Sequence, residues 1–102
     1  MEVYTYGVWK TKPGKEQQFV AAWRELGEWT LEKFPDAAAG TGTLLQDRDD
    51  PTLFASFGPW QSKAAVQQWR ADPGFQDRVA AMRGLLESFE PHMMEEVARV
   101  EK

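Results

Sequence analysis

The sequence has no cysteine, which excludes disulfides, thiolate metal sites and a cysteine nucleophile and fits a reducing compartment. It has one histidine, His92, so there is no histidine pair, and no histidine clusters with carboxylates at helical spacing; no metal site is expected. No glycine-rich loop follows a strand-like run, which removes a phosphate cradle. No apolar run reaches the length of a membrane span, and the opening "MEVYTYGVWK" lacks the basic and apolar regions of a secretion signal. A cytoplasmic protein without membrane partners is expected. The net charge is −4, with no block of Lys or Arg, which argues against nucleic acid, where phosphate neutralisation dominates affinity.

What the sequence has instead is large aromatic rings. Five Trp and six Phe fall within 102 residues, a length that builds one domain, 1–102, around one core. Trp needs both a buried ring and a partner for its N–H. The stretch "FASFGPWQSKAAVQQWRADPGFQDRV" concentrates such rings, and they build either a core or the wall of a pocket.

Periodicity orders the chain. Residues 3–10, "VYTYGVWK", read as a strand, with Tyr4, Tyr6 and Val8 on one face and Val3, Thr5, Gly7 and Trp9 on the other. Pro13-Gly14 opens a helix whose stripe is Phe19, Trp23, Leu26, Thr30 and Phe34, stopped by Pro35. Trp29 lies off that stripe, at a solvated edge or a dimer contact. Residues 41–48 and 52–58 form a hairpin through the polar turn "DDP", whose Asp residues suit local backbone bonding. Ser62 caps a short helix carrying Val66 and Trp69, and Asp72-Pro73 restarts it. Phe75, Val79, Met82, Leu86 and Phe89 then follow helical spacing as far as Pro91. Residues 92–100 are assigned to a last strand, because Pro91 begins a new element and the sheet otherwise lacks a strand. Arg70, Arg78 and Arg83 are expected to face solvent.

The resulting order, β-α-β-β-α-β, is the split βαβ arrangement of an α+β, ferredoxin-like fold with an antiparallel sheet. Both helices cover one face. The other carries Tyr4, Tyr6, Val8, Leu53, Ala55 and Phe57, an apolar patch that a second copy would cover, giving a homodimer. On the covered face Thr5 and Gly7 are small neighbours, which suggests a cavity rather than a packed layer.

With "KPGKEQQFVAAWRELGEWT", "FASFGPWQSKAAVQQW" and "DPGFQDRV", and with Trp60-Gln61-Ser62 as local signature, nearly the whole chain resembles the antibiotic biosynthesis monooxygenase family. The resemblance implies a dimeric α+β barrel with a pocket in each subunit. It also implies oxidation of a phenol or quinol by O2 with no metal or flavin cofactor. A separate branch degrades haem, but the positions it uses fall here on Gly7 and Val79, and valine cannot ligate iron. In the polyketide-oxidising branch the matching positions are Trp60, Ser56 in place of an asparagine, and Val66 in place of a tyrosine.

On that resemblance the pocket lies between the face bearing Thr5, Gly7, Phe54 and Ser56 and the helices bearing Trp69 and Val79. Trp60 would supply an N–H and Ser56 a hydroxyl to the substrate oxygen, with Tyr6 or His92 as proton acceptor. Each has a plainer role: Trp60 as a packing anchor, Trp69 and Trp23 as core, His92 as a surface histidine. A non-catalytic binding or stress-associated protein is the competing class, distinguished by a pocket filled with its own side chains.

Overall fold

The computed structural model describes residues 2–102. Seven elements follow in order: β1 (Val3–Thr11), α1 (Glu16–Lys33), β2 (Thr43–Gln46), β3 (Leu53–Trp60), α2 (Lys63–Ala71), α3 (Pro73–Arg83) and β4 (Leu86–Glu95). The strands form one antiparallel sheet in the order β2-β3-β1-β4. This is the expected α+β ferredoxin-like architecture, with the second helix divided at Asp72-Pro73. Among the described residues no helix is long and apolar enough to cross a membrane.

The caps explain the division. Ser62 Oγ accepts the Ala65 N–H at 3.1 Å, and Asp72 Oδ1 accepts the Gly74 N–H at 2.7 Å, with Pro73 at the first turn of α3. The β2–β3 turn is held as its composition suggests, since Asp47 Oδ1 accepts from both Asp49 and Asp50 backbone N–H groups. The first helix starts later than Pro13-Gly14; Gly14 takes a turn conformation at φ 86° and α1 begins at Glu16.

Two further boundaries differ from the sequence reading, and both have a physical cause. The run Phe75, Val79, Met82, Leu86 and Phe89 is not one helix: α3 ends at Arg83, and Leu86 and Phe89 belong to β4. Thr11 pairs with Leu86 and Lys10 with Ser88, so Glu87 is an extra residue in a bulge. Leu86 and Phe89 therefore share the covered face despite an odd separation, and the bulge imitates helical spacing. Pro91 lies inside β4 opposite Gly7 rather than starting an element. The sheet order makes β4 an edge strand, where a missing N–H need cost no ladder bond. The last strand is thus 86–95, not 92–100.

The second difference is that β3 runs through Pro59 to Trp60. The Pro59 carbonyl accepts the Ala39 N–H at 3.0 Å, so its nitrogen faces that side, away from β1. Trp60 is consequently a strand residue with its ring on the helix-covered face.

All three helices pack on the face bearing Thr5, Gly7, Trp9, Phe54, Ser56 and Trp60. At one end Phe19 of α1 is fully buried, its ring 5.1 Å from Trp9 and 4.9 Å from Phe54 between centroids. Trp29 is half-buried, between α1 and α3. Its ring lies against Gly74, where a Cβ would run into it, and Arg78 stacks over it at 4.5 Å. Arg78 also bonds Glu25 at 3.0 Å, so this partly exposed residue joins α1 to α3.

Candidate functional site

Beyond Phe19 the helices stand away from the sheet and leave a cleft of about 600 Å³. Its floor is the sheet face at Thr5, Gly7, Ser56 and Trp60, and its walls include Trp23, Trp69, Phe75, Val79 and Phe89. The rings therefore do both jobs. Trp9, Phe19 and Phe54 build the core, and Trp60, Trp69 and Trp23 line a space.

Hydrogen bonding on the floor is specific. Trp9 Nε1–H donates to Ser56 Oγ at 2.9 Å, and Trp60 Nε1–H donates to Thr5 Oγ1 at 2.9 Å. Both bonds run from one strand to its neighbour. Ser56 sits opposite Gly7 in the β1–β3 register, and Thr5 sits opposite Gly58. A Cβ on Gly7 would lie 2.9 Å from Trp9 Nε1 and 3.0 Å from Ser56 Oγ, so glycine is what lets that bond pass. The space implied by the small pair Thr5 and Gly7 is present, but the Trp9–Ser56 bond occupies part of it.

On the wall, Trp69 Nε1–H donates to Thr30 Oγ1 at 2.8 Å, and the Thr30 hydroxyl donates to the Leu26 carbonyl at 2.7 Å. The Trp60 and Trp69 rings lie 4.5 Å apart, and Trp69 is 4.4 Å from Phe75. Arg70 and Arg83 also line the cleft, and Arg83 is exposed as expected. Arg70 is half-buried and donates to the His92 carbonyl at 3.1 Å. Burial lowers its pKa, though a guanidinium keeps its charge at neutral pH.

Of the residues singled out from the sequence, Thr5, Gly7, Ser56, Trp60, Trp69 and Val79 converge on the cleft. Phe54 does not; it is buried in the core against Phe19. Tyr6 reaches the cleft edge only as part of β1, since strand alternation puts its ring on the opposite face, beside Phe57 and Met94. His92 is paired with Tyr6 in the sheet, its ring 6.4 Å from the tyrosine ring, exposed and 3.9 Å from Glu90. Neither ring faces Ser56 or Trp60. Besides Arg70 and Arg83, Trp9 was missed. Its place on the same strand face as Thr5 and Gly7 was the available signal, but its hydroxyl partner lies on another strand.

A four-stranded antiparallel sheet with an aromatic cleft beneath its helices defines the class of fold. Within it, residues 3–81 match the family model for antibiotic biosynthesis monooxygenase, and the chain belongs to that family. The fold is also that of SnoaB, a cofactor-independent oxygenase from Streptomyces nogalater, at TM-score 0.83 and 19% identity over 100% of both chains. A single-site variant of SnoaB gives TM-score 0.85 and 20% identity, covering 99% of this chain and 98% of that one. A conserved protein from Methanosarcina mazei Go1 gives 0.81 and 17%, covering 95% and 94%. No curated protein matches the chain.

Proposed function

We propose that this protein is a cofactor-independent monooxygenase that oxidises a small aromatic quinol or phenol with O2 in the cleft. Family membership supports the reaction type. The observation that carries the reading is the cleft itself: about 600 Å³, walled by rings, with Thr5 and Ser56 hydroxyls on its floor. Aromatic walls suit a planar substrate, and a bound ligand that displaces water from them strengthens each hydrogen bond to a developing anion.

The chemistry needs little else. The phenolic substrate gives up its proton, which the positive charges of Arg70 and Arg83 favour by stabilising the anion. The anion passes one electron to O2, and the resulting radical and superoxide combine to form a C–O bond at a ring carbon. Protonation and cleavage of the O–O bond release water and leave a carbonyl where a C–H stood. One oxygen atom enters the product, the other leaves as water, and the substrate supplies all four electrons. Ser56 and Thr5 hold the substrate oxygen, and Trp60 acts through Thr5 because its N–H is already committed there. Tyr6 and His92 face away, so the departing proton goes to water at the mouth.

Protein treated with a chelator is expected to consume O2 with at least one hydroquinone faster than buffer alone. Ser56→Ala should slow that uptake by about a hundredfold, as loss of one oriented anion donor does, with the fold intact by circular dichroism. Equal rates would reduce Ser56 to a partner for Trp9. Saturable binding with no uptake across a broad panel would favour the binding or stress-associated protein.

The open sheet face supports a homodimer. Tyr4, Tyr6, Phe57 and Met94 line a depression of about 400 Å³ there, and no helix of the described residues covers it. A second copy should bury more than roughly 1,000 Å². Light scattering that returns a monomer mass at micromolar concentration refutes it.

A further inference from the structure

We propose that Trp9 and Trp60 are positioning residues that fix the Ser56 and Thr5 hydroxyls as a pair of hydrogen-bond donors aimed at acceptor oxygens of the ligand. The inference rests on the oxygen-bearing aromatic ligand proposed above, and adds which groups orient its donors.

Three indole–hydroxyl pairs surround the cleft, and they are not equivalent. A hydroxyl has one proton to donate and two lone pairs to accept with. Thr30 accepts from Trp69 and spends its own proton on the Leu26 carbonyl, so that pair is closed. Ser56 accepts from Trp9, and Thr5 accepts from Trp60, yet neither hydroxyl donates to any described residue. An incoming N–H excludes the hydroxyl proton from its own direction. The proton of Ser56, a residue only 9% exposed, is left to point into the cleft that both residues line. Accepting a hydrogen bond also polarises a hydroxyl and makes it a stronger donor.

The rings that do the orienting cannot swing. Trp9 is 4% exposed and stacks on Phe89 at 3.8 Å with an interplanar angle of 13°. Trp60 is held between its strand and Trp69. The two hydroxyls are diagonal neighbours on adjacent strands, which places their Cβ atoms about 7 Å apart on one surface. A ligand lying flat on that floor meets both.

The experiment is a binding measurement under nitrogen, with a dihydroxynaphthalene and with naphthalene as probes, so that no turnover intervenes. Trp9→Phe keeps the ring and removes the N–H. It should weaken the dihydroxy probe about fivefold, the worth of one hydrogen bond, and leave naphthalene unchanged. Adding Trp9→Phe to Ser56→Ala should cost nothing more, whereas adding it to Thr5→Val should give the sum of the two effects. Trp60→Phe should behave the same way toward Thr5, and serves if the Trp9 variant fails to fold. Unchanged affinity for the dihydroxy probe, equal losses for both probes, or additivity with Ser56→Ala overturns the inference. This pattern without O2 uptake would leave the inference standing and remove the oxidation, while uptake that ignores Trp9→Phe would do the reverse.

Discussion

One face of one sheet carries two regions that differ in their own side chains and in what lies above them. Around Trp9 and Phe54 the face is filled by Phe19, which is completely buried. Around Thr5, Ser56 and Trp60 the same face is the floor of a cleft, and the α1 residues above it, Trp23, Gly27 and Thr30, line a wall instead of filling a gap. The Trp9–Ser56 bond crosses from the packed region to the cleft floor, whereas the Trp60–Thr5 bond lies wholly on the floor. Packed rings bring stability, and the open end keeps polar groups within reach of a ligand.

The sharpest way to break the comparison is to empty the packed end. Phe19→Ala should cost about 3–5 kcal/mol, the range for a buried Phe truncated to Ala, read as a lower denaturant midpoint with unchanged slope. A loss below about 1 kcal/mol, a surface-like value, would mean that the packed end is no more cohesive than the cleft.

Gly7 marks the boundary between the regions, and Gly7→Ala tests it. The added Cβ meets Trp9 Nε1, Ser56 Oγ and, at 3.2 Å, Phe89 Cε1, all ends of packed side chains. A destabilisation of about 1–3 kcal/mol is expected, as for overpacking elsewhere, together with a changed Trp emission spectrum. A neutral substitution would show that the floor yields.

The smallest effect belongs to the open wall. A Cβ on Gly27, in the middle of α1, would meet nothing within 4 Å. Gly27→Ala should then raise stability by about 0.5–1 kcal/mol through helix propensity alone, measured by thermal melting. Opposite signs at Gly7 and Gly27 would confirm that one methyl is crowded on the floor and free on the wall.

Much of this was legible in order along the chain. Alternation in "VYTYGVWK" separated the Tyr4 and Tyr6 face from the Thr5, Gly7 and Trp9 face, because successive side chains on a strand point to opposite sides. The same rule already placed Tyr6 away from the pocket it was expected to serve. The caps at Ser62 and Asp72 were readable because each acts on a backbone N–H a few residues on. The residues of β4 were not, since the bulge at Glu87 mimics a helical repeat and exists only by pairing with β1.

The sequence by itself determined the order of strands and helices, the face each β1 residue occupies and the collection of small and aromatic groups around Thr5, Gly7 and Trp60. Those properties follow from local periodicity and from hydrogen bonds between near neighbours. Only the tertiary structure decided that Trp60 donates to Thr5, that Trp9 donates to Ser56 and that Arg70 reaches the cleft. The partners in those first two bonds lie 55 and 47 residues apart, and nothing local records which strand will bring them together.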